Sequence, residues 1–299
     1  MMKTFLIFLV FLGFLATHGN FQEVLKMMKI FGKVSKANGT NVDLSEENID
    51  EDCEQTCFDK ADCILAFFNE DDYCILFDFN STVTLEVVET TRGKELYVSF
   101  KTTLPNNTCP AYDYISLLVN MGEDPIYWTR TGTTWNFQKC VGNWKMFPRT
   151  NQNPVITVCM QTFSFPEWIS KLNATAFCEG MGRKLTGLAS VAEAKWINAK
   201  LFEFLVEDNR GFWMDGVRAC VSDNATGLDC KKNFAWYDDY TTGTDALGAK
   251  ADLSETLYLN NAREDCLAVG RYREWTYIND VSCSEATLQL GVVCGYRMD

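Results

Sequence analysis

One histidine, His18, is all the sequence contains, and it lies in an N-terminal stretch expected to be removed. A chain without imidazole loses the group whose pKa suits proton transfer near neutrality, so Ser/His/Asp, Cys/His and His-ligated zinc mechanisms are excluded. Carboxylate-only chemistry of the glycosidic type survives that filter, but the adjacent acids Asp238 and Asp239 do not by themselves form an opposed acid and base. Positive charge is also scarce, with 27 Lys and Arg against 40 Asp and Glu and a net charge of −13. Binding of nucleic acid or an anionic membrane needs a basic stripe, and the sequence has none. Nor does any apolar run after Leu15 approach the roughly 20 residues of a membrane span, and the tail Gly291 to Asp299 carries no lipidation signal. No membrane anchor is expected.

What is present begins with Lys3, an apolar run from Phe5 to Leu15 and a small-residue exit at Ala16, Thr17 and Gly19. This has the form of a cleaved signal peptide over residues 1–19, and the protein is expected to be secreted and extracellular. Losing Lys3 takes the net charge from −13 to −14. The remaining length suggests two domains. All 13 cysteines follow the leader, and in an oxidising compartment that density argues for disulfides rather than metal ligation. Asn38, Asn80, Asn106, Asn173 and Asn224 each open an Asn-x-Ser/Thr sequon, which predicts a glycoprotein.

From Phe21 to about Phe100, β-type runs (Met28 to Val34, Ile64 to Phe68, Cys74 to Phe79, Thr84 to Val88, Leu96 to Phe100) flank one helical stretch from Ser45 to Cys57. Cys53 and Cys57 stand one turn apart on one face of that helix. Nested pairs, Cys53–Cys74 and Cys57–Cys63, are geometrically reasonable, although four cysteines allow three connectivities. The Cys-x3-Cys-x5-Cys-x10-Cys pattern resembles the PAN/apple family and its PAN-3 or CW variant, known from nematode-type proteins. That resemblance implies a small α+β module for protein or carbohydrate contacts over residues 20–105. Residues 106–137, with their Pro, Asn, Gly and Thr clusters and the aromatics Tyr112, Tyr114, Tyr127, Trp128 and Trp135, are expected to be a connector packed partly against the second domain.

The second domain, 138–299, opens with two amphipathic helices. One spans about Pro166 to Met181, with Trp168, Leu172, Phe177 and Met181 expected on a core-facing stripe. The next starts at a capping box, Ser190-Val191-Ala192-Glu193, and continues through Trp196, Ile197, Leu201, Phe204 and Leu205. Strand-like segments follow at Gly211 to Val217, Cys266 to Val269 and Leu288 to Cys294. Trp213-Met214-Asp215-Gly216, Glu264-Asp265-Cys266, Asn279-Asp280-Val281-Ser282-Cys283 and Val292-Val293-Cys294 resemble, in order, the core and closing motifs of the C-type lectin-like domain. The resemblance covers about Cys140 to Tyr296 and implies an α+β fold with bridges Cys178–Cys294, Cys266–Cys283 and Cys140–Cys159. A fourth pair, Cys220–Cys230, closes a short loop. Cys109 is left over: it links to another chain, giving a disulfide-linked dimer, or displaces Cys140 or Cys159 from their hairpin.

In the sugar-binding members of that family, a Glu-Pro-Asn or Gln-Pro-Asp loop, a later Glu and an Asn-Asp pair hold one Ca²⁺ that grips sugar hydroxyls. The resemblance makes Asn260, Glu264, Asn279 and Asp280 the candidate calcium ligands, with Tyr258 beside them as a candidate ligand contact. The match is partial. Tyr258 and Leu259 stand where the carboxylate and the proline belong, and a cis bond without proline costs about 3 kcal/mol. An alternative alignment over Glu255-Thr256-Leu257 recovers the carboxylate and loses the Asn. Cys266 to Asn279 is also longer than usual for the family, so calcium dependence is doubtful from sequence. Asp238, Asp239, Asp245 and Asp252 read as a solvated loop, and Trp236, Tyr237, Tyr240, Tyr258, Tyr272 and Trp275 as rings able to stack on sugars or anchor a protein. The expected function is non-enzymatic binding: recognition of glycans in immune defence or at cell surfaces, or calcium-independent adhesion to extracellular proteins.

Overall fold

The computed structural model describes residues 23–42, 52–69, 73–105, 111–122, 124–204, 210–220, 233–243, 245–252, 258–259, 262–272, 275–284 and 289–298. The leader, Cys109, Cys230, Asn106, Asn224, Asn260 and Glu255-Thr256-Leu257 lie outside the described residues. The chain divides into two compact units, Met1–Lys139 and Cys140–Asp299.

In the first unit the Val-, Ile- and Phe-rich runs form strands β1 (Glu23–Ala37), β2 (Thr40–Asn41), β3 (Cys63–Asn69), β4 (Cys74–Asp78), β5 (Thr84–Glu89) and β6 (Leu96–Pro105). Strand β1 is long enough to pair antiparallel with β6 along its first part and with β5 along its end. Helix α1 (Cys53–Asp59) starts at Asp52, whose side chain accepts the Gln55 N–H at 3.0 Å. Cys53 and Cys57 both face inward from α1, bridging Cys74 on β4 and Cys63 on β3. The Lys101 ammonium, buried beneath the helix, donates to the Cys57 and Lys60 carbonyls at 3.2 and 2.7 Å. Both carbonyls lie at the helix C-terminus, where a cation is favoured, and the Lys60 carbonyl also accepts the Cys63 N–H at 3.1 Å. Burial pushes the Lys101 pKa down.

Residues 106–137 correct the expected connector. Strands β7 (Leu118–Val119) and β8 (Ile126–Tyr127) pair with each other, while β9 (Thr129–Thr131) and β10 (Thr134–Gln138) extend the first unit's own sheet. The order across that sheet is β4-β3-β6-β1-β5-β10-β9. Trp128, Trp135 and Phe137 are buried around Phe100 of β6, with ring centroids 4.8 Å (Phe100–Trp128), 5.8 Å (Phe100–Trp135) and 5.3 Å (Trp128–Phe137) apart. Among the sequons, Asn38, Asn80 and Asn173 are exposed. Asn38 occupies a left-handed turn (φ 48°), where its Nδ2 donates to the Ser81 carbonyl at 3.0 Å and its Oδ1 accepts the Val83 N–H at 2.7 Å.

The second unit centres on β14 (Arg210–Arg218), β19 (Cys266–Tyr272) and β21 (Gln289–Met298). The path across its sheet is β11 (Lys145–Arg149), β12 (Ile156–Ser164), β21, β14, β19, β20 (Trp275–Val281) and β16 (Ala251–Asp252). Strand β13 (Lys184–Leu185) joins at β21 and β15 (Phe234–Ala235) at β14, whereas β17 (Tyr258–Leu259) and β18 (Ala262–Arg263) pair only with each other. Helix α3 (Val191–Phe204) buries Ala194, Ile197 and Leu201 in a cluster with Phe212, Met214, Leu267 and Val293. Helix α4 (Asp245–Lys250) adds Ala246 and Leu247 to the same cluster.

Helix α2 departs from the expected stripe. It spans Lys171–Gly180 and buries only Ala174 and Cys178, while Trp168, Leu172 and Met181 are exposed. A short, small-residue face suffices because Cys178 is bonded to Cys294, which brings the helix backbone close to β21. Cys140–Cys159 and Cys266–Cys283 complete the bridges among the described residues of this unit whose partners are both in view.

Cys178 and Cys294 are 116 residues apart in sequence. Replacing both with serine is expected to lower unfolding stability by about 5 kcal/mol in the chain-entropy account, read as a reduced denaturation midpoint under non-reducing conditions.

Candidate functional site

Two of the described members of the expected calcium set, Asp280 through its carboxylate and Glu264 through its backbone carbonyl, meet a cation that the protein supplies itself. Arg218, at the end of β14, is fully buried, and its guanidinium lies 2.5 Å from the Asp280 carboxylate, which is also fully buried. The same guanidinium donates from Nη2 to the Glu264 carbonyl at 3.1 Å, and its Nε lies 3.6 Å from Asp265. Phe234 covers it, with the ring centroid 4.7 Å from Cζ, a cation–π arrangement. Asp265 also pairs with Arg263 at 2.7 Å, and Arg263 in turn donates to the Cys220 carbonyl at 2.8 Å.

These contacts decide how the expected ligands fit a calcium ion. Ca²⁺ needs six to eight converging oxygens. Here the Asp280 carboxylate neutralises a guanidinium, and Glu264 and Asp280 are both buried. Asn279 precedes Asp280 on β20, where successive side chains point to opposite faces; it is half-buried while Asp280 is sealed. Among the described residues no group of three or more His, Cys, Asp or Glu is arranged to hold a metal. Among the described residues, therefore, Asp280 is committed to Arg218 rather than open to an added cation. Asn260 and the Tyr258 side chain lie outside the described part.

Of the acids expected on a solvated loop, Asp239 and Asp245 are exposed and the Asp252 side chain lies outside the described part, whereas Asp238 departs from the expectation. Asp238 is buried, accepting the Gly187 and Thr241 N–H groups at 2.8 Å each and the Thr241 hydroxyl at 2.5 Å. Nearby, Arg149 of β11 grips Glu193 of α3 through two bonds of 2.9 and 3.1 Å and donates to Thr241 at 2.7 Å. The Glu193 N–H donates to Ser190 as a capping box requires, but the Glu193 carboxylate turns to Arg149 and the Ala189 N–H instead of to Ser190. Of the aromatics in this region, Tyr240 is buried, Trp236 packs on the core, and Tyr237 stands 63% exposed. Tyr237 is nonetheless fixed at its backbone, because its N–H donates to Asp215, a β14 carboxylate that also accepts from Asp238.

Arg218, Arg149, Lys171 and Asp215 were not singled out from the sequence as functional groups. The available signal was position: Arg218 and Asp215 interrupt the otherwise apolar strand that begins at Phe212. Lys171 donates to the Gly216 carbonyl at 2.8 Å, and burial pushes its pKa down to about 8. Burial raises the Asp215 pKa.

Removing Arg218 would leave a buried carboxylate without its counter-charge. Arg218→Met is expected to cost about 3–5 kcal/mol, and Arg218→Met combined with Asp280→Leu should recover much of that loss in urea denaturation. For Lys171, the folded amine sheds its proton near about 8 while the unfolded one keeps it to 10.5. Stability should therefore rise with pH across that window, and the rise should be missing in Lys171→Met when the two melting curves are compared.

The comparisons with known proteins follow the division of the chain. A PAN-like domain model matches residues 27–102, and a model described as C-type lectin domain-containing protein 141/158 matches residues 146–296. No curated protein matches the chain. Similar solved structures include the C-type lectin domain of murine dendritic cell inhibitory receptor 2 in complex with N-glycan, at 17% identity over 54% of this chain and 100% of that one, with a TM-score of 0.36. The Ca²⁺-independent C-type lectin SPL-2 from Saxidomus purpuratus shares 17% identity over 51% of this chain and 90% of its own, TM-score 0.32. A calcium-independent type II antifreeze protein shares 16% over 53% and 94%, TM-score 0.33. An N-terminal PAN module thus precedes a C-type lectin fold suited to binding, and the chain belongs to the family of C-type lectin domain-containing protein 141/158.

Proposed function

We propose that this is a secreted, glycosylated binding protein whose lectin-like unit recognises carbohydrate without calcium. The observation that carries the calcium-independent part is the sealed Arg218–Asp280 pair, which meets the charge of the closing motifs from within. The family match supports a lectin-like binding role for this unit, and the PAN-like unit adds a second contact module. Residues 1–19 act as the leader. Catalysis plays no part in this reading: both modules are of binding type, and the chain beyond the leader contains no histidine. Among the described residues no helix is long and apolar enough to cross a membrane.

A second reading, adhesion to an extracellular protein, draws support from Trp168, just before α2, and Leu172, in its first turn, which are 48% and 78% exposed. Large apolar side chains on a surface favour protein partners. Dimerisation through Cys109 belongs to this reading.

The test is a glycan array probed with the full secreted chain, with and without a chelator, together with thermal unfolding in rising calcium. Binding is expected to survive chelation, and the melting temperature to stay constant up to millimolar calcium. A saturable rise in melting temperature would reveal a cation bound by the folded state and overturn calcium independence. An empty array alongside capture of an extracellular protein would favour the adhesive reading.

A further inference from the structure

A cleft of about 240 Å³ opens between α2, β13 and β14, away from the expected calcium ligands in sequence and lined by different side chains. Lys171, Thr175 and Glu179 line one wall. They sit at i, i+4 and i+8 and therefore form one stripe along the helix. Asp215 and Val217 of β14 and Lys184 and Leu185 of β13 form the rest, and Tyr237 stands at the rim. Clefts for drug-sized ligands run to about 300–1,000 Å³, so this one suits a ligand of about one ring.

The lining specifies the chemistry of that ligand. Two ammonium groups, Lys171 and Lys184, balance two carboxyls, Glu179 and Asp215, so no net charge is demanded of the guest. Apolar surface, from Leu185, Val217 and the Tyr237 ring among others, makes up more of the lining than polar surface does, which suits the C–H face of a sugar ring. The lining carries both donors, on Lys171, Lys184 and Thr175, and acceptors, on Glu179 and Asp215, which suits hydroxyls, since each both donates and accepts. The Tyr237 ring is exposed although its backbone is pinned through Asp215. An aromatic face held outside the core on a fixed main chain is a preorganised platform.

We infer that this cleft is a saccharide subsite, in which one neutral pyranose ring stacks on Tyr237 while its hydroxyls bond Lys171, Thr175, Glu179 and Asp215. The inference rests on the carbohydrate reading above and gives it a location that needs no cation. Asn173, the exposed sequon residue on the same helix, is two positions from Lys171, about 200° round the helix axis, so a glycan there would project away from the cleft.

The experiment uses the full secreted chain on a glycan array and in saturation-transfer NMR with methyl α-mannoside, methyl α-glucoside, methyl β-galactoside and methyl β-N-acetylglucosaminide. Wild type should bind at least one of these. Tyr237→Ala should weaken that binding tenfold or more with an unchanged melting temperature, Tyr237→Phe should retain it, and Lys171→Met should weaken it. Tyr114→Ala, an 85% exposed tyrosine of the first unit, should leave it intact. If the array shows glycan binding that Tyr237→Ala and Lys171→Met leave unchanged, the cleft is wrong and the carbohydrate reading stands. If wild type binds nothing on the array, the carbohydrate reading falls and takes the cleft with it.

Discussion

A guanidinium enclosed in protein requires a carboxylate in contact, and the second unit is organised around two such pairs. Arg218 joins the end of β14 to β20 through Asp280 and to the turn before β19 through the Glu264 carbonyl. Arg149 joins β11 to α3 through Glu193 and to the turn after β15 through Thr241. Burying a charge costs several kcal/mol unless it is paired and hydrogen-bonded. Each pair therefore fixes the register of segments far apart in sequence: a slip of one residue along β20 would turn Asp280 to the other face and strand its partner. Segments that another protein might tie with an ion are tied here by side chains.

The two units solve the same problem by different means. In the first, one extended strand, β1, is shared by β5 and β6, and aromatic rings fill one side of the sheet while α1 and its bridges cover the other. In the second, bridges and ion pairs both lie inside, with Cys178, Cys266 and Cys294 in one core cluster and the Arg149 and Arg218 pairs sealed from solvent. The buried arginines are each matched by a buried acid, Arg149 by Glu193 and Arg218 by Asp280, so these pairs leave the acidic surplus of the whole chain unchanged.

Much of this architecture was legible in the residues. The Val- and Phe-rich runs and the Trp213 motif announced the strands, and the spacing of Cys53 and Cys57 announced a helix with one cross-linked face. The strand over Thr134–Gln138 was written in the alternation of Trp135 and Phe137, yet the surrounding Gly and Thr suggested a connector; tertiary pairing with β5 overrode the turn chemistry. The α2 stripe misled because a periodic pattern cannot show that a covalent bridge lets two small residues replace a broad apolar face. Arg218 was invisible because a lone arginine beside an apolar strand reads as its exposed end. Only the fold brings Asp280, 62 positions later, to meet it.

Helix α1 has seven residues, fewer than a peptide needs to remain helical in water. It persists because two sulfur links and the Lys101 ammonium hold its two ends. The ammonium cannot take hold until β6 has carried it under the helix, and it has a helix to hold only where thiols are oxidised. The first unit is thus complete only under oxidising conditions, so the reduced chain would lack its helical layer and bare the cysteine-lined face of its sheet.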